Sequence, residues 1–390
     1  MRAFASVFVG MLAICFGGSA LADPVPVAIP VASPVVVIPC GGARSAAPAS
    51  WADGPDDAVD CRPTRVACPC DDPCLVRRRG PIEVRDGYLL AQPLLTLSAV
   101  SPDTLGCGRT SLRVQAAWSN TFGWRQNVSG ETPARRYFLA DGESRTGSLT
   151  VARGVTPDLD LGARLAVHWR GGGISDDWID AFHQALSFIG LTDNLRSDFR
   201  RDAFRINGRL TAGGTFDADA DRGTGLGNVE VFGKWRFRDA GPDRWSWALV
   251  ARATAPTGTH PFDPSGVEGA LQVVGARRIA RDWDMYVGAG AIGRTETEFQ
   301  GMKFSSVVGH VFVAAEYRLG ARWSLLVETD YATNLADGIE RHDPTRWYLD
   351  FGAKVDLDRR TTLEFGFVEN LISQQTTLDI GIHFGLEFRF

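Results

Sequence analysis

The clearest pattern in the chain is a strict alternation near its end. Leu378, Ile380, Ile382, Phe384, Leu386, Phe388 and Phe390 take turns with Asp379, Gly381, His383, Gly385, Glu387 and Arg389. Successive side chains of a strand point to opposite faces, so a period of two sets an apolar face against a polar one. A sandwich strand is seldom so long, whereas a tilted membrane-spanning strand needs about 9–11 residues. The dyad recurs upstream. Leu159, Leu161, Leu165, Val167 and Trp169 alternate with Asp160, Arg164 and His168. Val229, Val231, Trp235 and Phe237 alternate with Glu230, Lys234 and Arg236. Trp323, Leu325 and Val327 oppose Ser324 and Glu328, and Trp347, Leu349, Phe351 and Val355 oppose Asp350, Lys354 and Asp356.

A soluble antiparallel sandwich also alternates. Here, however, Trp245, Trp283 and Trp323 each sit just after a short turn, where a barrel strand would cross the membrane interface and carry its aromatic girdle. The pattern predicts an all-β protein, a transmembrane antiparallel β-barrel. Alternating short turns with longer connections places spanning strands near 110–120, 144–153, 159–169, 226–238, 244–255, 267–278, 282–291, 305–318, 322–331, 345–355, 361–370 and 377–390. That is twelve strands, an even number with both ends in the periplasm. Promoting 135–141 and 202–212 to full spans would give fourteen, the alternative. Phe384, Leu386, Phe388 and Phe390 form the aromatic ending that barrel insertion machinery reads.

One connection has its own chemistry. After Gly171-Gly172-Gly173, Ser175 can cap a helix whose first turn holds Asp176 and Asp177, where negative charge suits the helix dipole. Trp178, Ile179, Phe182, Leu186 and Ile189 then make one apolar face. A short amphipathic helix in an extracellular loop is expected, acting as a lid on the barrel.

Composition agrees and narrows the rest. Of the 390 residues, 44% are hydrophobic and 22% charged, too apolar for a disordered chain. The single long apolar run is at the start. Arg2, the stretch Ala3 to Phe16 and Ala20-Leu21-Ala22 read as a signal peptide, residues 1–22, cleaved after Ala22. A net charge of −5 argues against a general nucleic-acid surface. Residues 23–86 are expected to form a Pro- and Cys-rich periplasmic extension, with Arg77-Arg78-Arg79 as a solvated linker, and residues 87–390 the barrel. In an oxidising compartment Cys40, Cys61, Cys68, Cys70, Cys74 and Cys107 are disulfide candidates, and nothing in their spacing selects a pairing.

Asp141-Gly142-Glu143, then Gly172-Gly173, Trp178-Ile179-Asp180, Phe182-His183 and Arg196 follow one another between strands. In this order the motifs resemble a group of uncharacterised outer-membrane proteins of proteobacteria, domain of unknown function three-one-eight-seven, over roughly residues 87–390. The resemblance implies an outer-membrane barrel of unestablished activity, so it carries over no catalytic residue.

Charged side chains at inward positions would line the lumen: Arg164, His168, Lys234, Arg236, Arg252, Glu328, Asp330, Asp350 and Lys354, followed by Glu364, Asp379, His383 and Glu387. Opposed charges of this kind can line a polar conduit or close into a salt-bridged core. The expected function is a channel or binding protein for a small solute, gated by the helical loop and placed in the cell outer membrane. Its partners there would be outer-membrane lipid and lipopolysaccharide. Two alternatives stand. His183 with Asp180 and Ser187 on one helix side suggests a lipid hydrolase or acyltransferase. A closed envelope barrel is the other. No cofactor and no metal site is expected. Asp217, Asp219 and Asp221 have the spacing of a calcium loop, but Arg222 and Asn228 stand where its glycine and glutamate belong.

Overall fold

The computed structural model describes residues 78–126, 136–185, 200–239, 241, 244–342, 345–370 and 377–390. Alternating polarity makes long strands wherever it persists. In chain order these are β1 (Thr110–Gln126), β2 (Arg136–Thr156), β3 (Leu159–Gly171), β4 (Val229–Arg238), β5 (Ser246–Ala255), β6 (Glu268–Ala280), β7 (Trp283–Arg294), β8 (Val307–Leu319), β9 (Trp323–Ala332), β10 (Arg346–Asp356), β11 (Thr361–Asn370) and β12 (Ile380–Arg389). Each pairs antiparallel with the next, and β12 returns to β1 with Leu112 opposite Phe388 and Ala116 opposite Phe384. The ring is closed, so no spanning strand leaves unpaired backbone groups in hydrocarbon.

All twelve expected spans are present, and the fourteen-strand alternative is not. Residues 136–141 are the outer end of β2, and Arg205–Arg209 adds a short strand beside that end alone, with Phe138 opposite Gly208. At the start of β12 the expected alternation stops short. Leu378 turns inward and packs with Tyr88 and Tyr348, so the regular strand begins at Ile380.

Burial follows the dyad. Along β4, Val231, Trp235 and Phe237 are exposed while Glu230 is buried; along β9, Trp323, Leu325 and Val327 are exposed while Ser324, Leu326 and Glu328 are buried. At the ends joined by short turns, aromatic rings cluster outside: Trp235 with Phe237 at 5.9 Å, Trp245 stacked on Trp247 at 5.4 Å, and Trp283 with Tyr317 at 4.8 Å. These turns are tight. Gly320 closes the one before β9 with a φ of 73°, which a side chain would resist. Before β11, Asp358 accepts from the Arg360 and Thr361 N–H groups at 2.7 and 2.8 Å, and the bond from Arg360 leads the effects that hold its carboxyl below the usual range.

Val327 lies midway along β9 on the outer face. Val327→Arg is expected to destabilise the barrel by about 2–4 kcal/mol, because a cation at that depth must leave water for hydrocarbon. Urea unfolding in lipid vesicles checks this; a loss no larger than that of Val327→Thr would place β9 outside a bilayer.

Residues 78–105 precede the first strand and run along its inner side. Ile82, Tyr88, Leu89, Leu90 and Ala91 have essentially no exposure, because this stretch lies inside the barrel.

Candidate functional site

The lumen is threaded by the chain that precedes β1. Residues 78–87 form one limb of a hairpin, 88–94 its turn and 95–105 the returning limb. The turn is a local coil in which Ala91 and Gln92 N–H groups donate to the Tyr88 carbonyl at 2.8 and 3.0 Å. The limbs are irregular, so their backbone groups have no ladder and need partners from the wall.

The wall supplies them with charge. Glu316 accepts from the Arg79 and Gly80 N–H groups at 3.2 and 3.3 Å, and from Ser324 Oγ and Tyr286 Oη at 2.6 Å each. Arg79 Nε donates to Asp356 at 2.9 Å, and Lys354 Nζ donates to the Pro81 carbonyl at 2.6 Å while pairing with Glu364 at 2.8 Å. Ile82 N–H donates to Glu328 at 3.1 Å. On the opposite wall Arg85 donates to both oxygens of Glu230 at 2.8 Å, and Arg252 to the same carboxylate at 2.6 Å. On the returning limb, Leu95 N–H donates to Glu268 at 2.6 Å, Gln272 Nε2 to the Ser98 carbonyl at 3.0 Å, and Leu105 N–H to Asp160 at 3.1 Å. Of the arginines expected in a solvated linker, Arg79 is buried and Arg78 partly buried here; Arg78 lies 3.3 Å from Asp284, a carboxylate that also faces Arg278 and Arg318.

Above the hairpin turn, the outer loops form an apolar roof. Phe138, Ile206, Phe216, Met302, Phe304, Leu335 and Ile339 are buried against Tyr88, Leu89 and Leu90. Below it, two cavities flank the hairpin and share Val84 to Gly87. One is lined by His310, Asp330 and Asp350, the other by Arg164, His168, Glu230 and Glu268.

Of the expected lumen residues, Arg164, His168, Lys234, Arg252, Glu328, Asp330, Asp350 and Lys354 therefore do surround one interior. His168 meets Thr146 Oγ1 at 2.9 Å, and Lys234 donates to the Asp103 carbonyl. Arg236 does not join them; it sits at the rim, 2.8 Å from Asp158 and 3.2 Å from Asp239. Glu268, Asp284, Glu316, Arg113 and Arg294 share the inward parity and were not singled out by sequence, although the same rule finds them.

The extracellular helix α1 (Asp176–Ala185) stands elsewhere. On β1 and β2 the lumen face carries Ser119 and Ser144, whose contacts are with Gly87. Asn120 and Glu143 have the opposite parity and face outward. Glu143 nevertheless has no exposure, because it accepts from the Ile174 and Ser175 N–H groups at 2.8 Å each, from Trp118 Nε1 at 2.9 Å and from Arg145 at 3.1 Å. The backbone donors of the N-cap Ser175 and of Ile174 just before it thus find a carboxylate, a charge that the positive end of the helix dipole favours. Trp178 meets Trp118 edge-on at 6.2 Å. The start of the helix is clipped to the outer wall, while the lumen is filled by other residues. Ile179 is buried and Trp178 half exposed; the side chains of Asp180, Phe182 and His183, and all of Ser187, lie outside the described residues.

Glu143→Ala would orphan the donors of Ile174, Ser175 and Trp118, a cost of about 1–3 kcal/mol. Faster proteolytic cleavage within 172–185, with barrel stability nearly unchanged, is the expected result; equal cleavage in both proteins would contradict the clip.

Asp219 serves its own loop by accepting from Ile206 N–H at 2.7 Å and Asn207 Nδ2 at 3.1 Å. Of the six disulfide candidates, Cys107 alone is among the described residues, exposed in the turn before β1 with Sγ 3.7 Å from the Val155 carbonyl.

The Asp-Gly-Glu and Gly-Gly motifs and the first turn of the helix therefore assemble one structural joint. The family model described as a protein of unknown function (DUF3187) matches residues 75–390. The chain belongs to DUF3187. The match begins just before the hairpin, so the lumen segment is part of the DUF3187 domain. No curated protein matches the sequence. Among solved structures, the COG4313 outer membrane channel from Pseudomonas putida is 13% identical, with 76% of this chain and 100% of that chain covered and a TM-score of 0.50. The beta domain of the Bordetella autotransporter BrkA is 11% identical over 73% of this chain and 100% of that one, TM-score 0.41. The Pseudomonas putida toluene transporter TodX is 10% identical over 80% and 95%, TM-score 0.37. The first of these likenesses shows the fold, an outer-membrane β-barrel.

Proposed function

We propose that this DUF3187 protein is an outer-membrane channel for a small solute, closed at rest by residues 78–105. The observation that carries the reading is the chemistry of the hairpin's seat. The limb 78–87 is held mainly by ion pairs and hydrogen bonds to a charged wall, groups that water could satisfy after the segment moves. The returning limb adds apolar contacts of Leu95, Leu97, Ala99 and Val100 with wall residues such as Ala270, Ile292, Val250 and Val274 to its own hydrogen bonds, and two cavities already run beside the segment. A polar wall is what a conduit requires and an apolar core does not. The similar structure from Pseudomonas putida is itself an outer membrane channel. The gate is the hairpin rather than α1, whose clipped start lies on the outer wall. Outer-membrane lipid and lipopolysaccharide surround the belt in this reading, and insertion machinery reads Phe384, Leu386, Phe388 and Phe390.

The packed roof over Tyr88–Ala91 favours a second reading, a permanently closed envelope barrel. Liposome swelling in small sugars separates the two. A variant lacking 78–105 is expected to admit sugar at least about ten-fold faster than the full chain, since the wall left behind carries the charged groups that seated limb 78–87 beside its apolar patch, and deleting 172–190 should leave uptake unchanged. A correctly folded hairpin deletion that stays impermeant rules the channel out.

A further inference from the structure

Three lumen carboxylates stand apart from every ion pair described above. Glu328 and Asp330 are two residues apart on the inward face of β9, and Asp350 lies directly opposite Glu328 on β10. One oxygen from each falls within 4.8 Å of the others. Like charges placed opposite one another on a sheet repel, and burial removes the water that would screen them. Glu328 and Asp350 are each only 1% exposed.

The neighbouring cations are committed elsewhere. Arg346, four residues before Asp350 on β10, pairs with Asp86 at 2.9 Å; Lys354, four residues after it, pairs with Glu364 at 2.8 Å. Among the described residues, the basic side chain that reaches the group is His310, through Nε2 to Asp330 at 2.6 Å. Ile82 N–H occupies Oε2 of Glu328, and among the described residues no N–H or O–H donor from outside the cluster reaches Glu328 Oε1 or Asp350 Oδ1, both of which are buried. Those two orphaned oxygens are a second observation, independent of the clustering: buried acceptors in folded proteins find partners, and an orphan calls for an unseen one.

We propose that Glu328, Asp330 and Asp350 bind one hard divalent cation, calcium or magnesium, inside the barrel wall. Oxygens at about 2.3–2.6 Å from a single calcium ion can lie as far apart as about 5 Å, which the cluster satisfies. An all-oxygen ligand set suits these ions better than zinc or copper. His310 orients Asp330 from outside the coordination sphere, as partners of ligating carboxylates do. The cavity lined by His310, Asp330 and Asp350 leaves room for the waters that complete the shell. The ion would replace repulsion by attraction beside Ile82, and so tie β9 and β10 together behind the rising limb of the hairpin.

The test uses the full chain folded in detergent and dialysed against millimolar calcium or magnesium, or against EDTA. Elemental analysis should find about one ion per chain, retained after gel filtration, with an unfolding midpoint that falls in EDTA. Asp350→Asn and Glu328→Gln should each bind at least about ten-fold more weakly, since site affinity follows the count of charged ligands. In EDTA both variants should be at least as stable as the wild type, because each has lost a repelling charge. A folded wild type that binds neither ion at millimolar concentration overturns the proposal. So does undiminished binding in both variants. If neither variant folds, the wild-type stoichiometry and its EDTA response decide.

Discussion

Glu230→Ala should both weaken the barrel and loosen its gate, more than any other single change on that wall. Glu230 is 3% exposed and takes three hydrogen bonds, two from Arg85 of the hairpin and one from Arg252 of β5. Arg164 of β3 stands opposite it in the ladder. Removing the carboxylate leaves these buried guanidiniums facing each other without their shared counter-charge, and breaking one partner out of a buried charge network costs about 3–5 kcal/mol. Part of that cost is relieved if Arg85 leaves, since the segment carrying it is joined to the wall by polar contacts. Intermittent conductance in planar bilayers is therefore expected where the wild type shows little, together with a lower urea midpoint. The double variant Glu230→Ala/Arg85→Ala removes the orphaned charge on the hairpin along with its partner and should recover part of the lost stability, which makes the coupling measurable by a mutant cycle. Lower stability with no conductance in either variant would favour the permanently closed barrel.

How much of this was legible in the sequence depends on which physical signal each part sends. Barrel strands alternate because hydrocarbon lies on one side and a polar lumen on the other, and that rule places twelve spans and most of the charged wall. It works best on β4, β9 and β10, where tryptophans mark one face and charges the other. It says less about β7, whose outward Val287, Ala289 and Ala291 include two small residues and whose inward positions include Gly288 and Gly290, although Asp284 and Arg294 follow the same parity. The hairpin was missed for a different reason. Residues 78–94 have neither a period of two nor one of 3.6, because that irregular limb needs mainly backbone donors and acceptors and a few anchoring side chains, and the alternation of Leu95, Leu97 and Ala99 with Thr96 and Ser98 is too short to stand out as a span. Its signal is indirect: the short apolar stretch Tyr88–Ala91 had to be buried somewhere. The helix was found by its cap and its apolar face, but periodicity cannot tell which surface that face will meet. Glu143 decides that, and it reads in sequence as one more charge on a strand.

At the other end of the hairpin, Glu316→Ala is expected to be as damaging as Glu230→Ala, by a different route. Glu316 has no exposure and gathers four donors: the Arg79 and Gly80 backbone N–H groups, the Tyr286 hydroxyl and the Ser324 hydroxyl. No lysine or arginine donates a side-chain bond to it among the described hydrogen bonds, so its loss strands neutral donors rather than charges. A single buried donor left without an acceptor costs about 1–3 kcal/mol, and several are stranded at once. The two hydroxyls can rotate toward other acceptors, but the Arg79 and Gly80 N–H groups are fixed to the backbone and can be satisfied only if the base of the rising limb shifts. The total is expected to be about 3–5 kcal/mol, the range of a broken buried network. Glu316→Gln keeps one acceptor oxygen but turns an amide N–H₂ toward groups that already donate, so it should recover part of the loss and no more. The comparison with Glu230 then bears on how the segment moves. Hydrogen exchange of the Arg79, Gly80 and Ile82 amides should quicken in Glu316→Ala and change little in Glu230→Ala if the two ends of the limb open independently. Equal acceleration in both variants would mean that the hairpin leaves its seat as one unit.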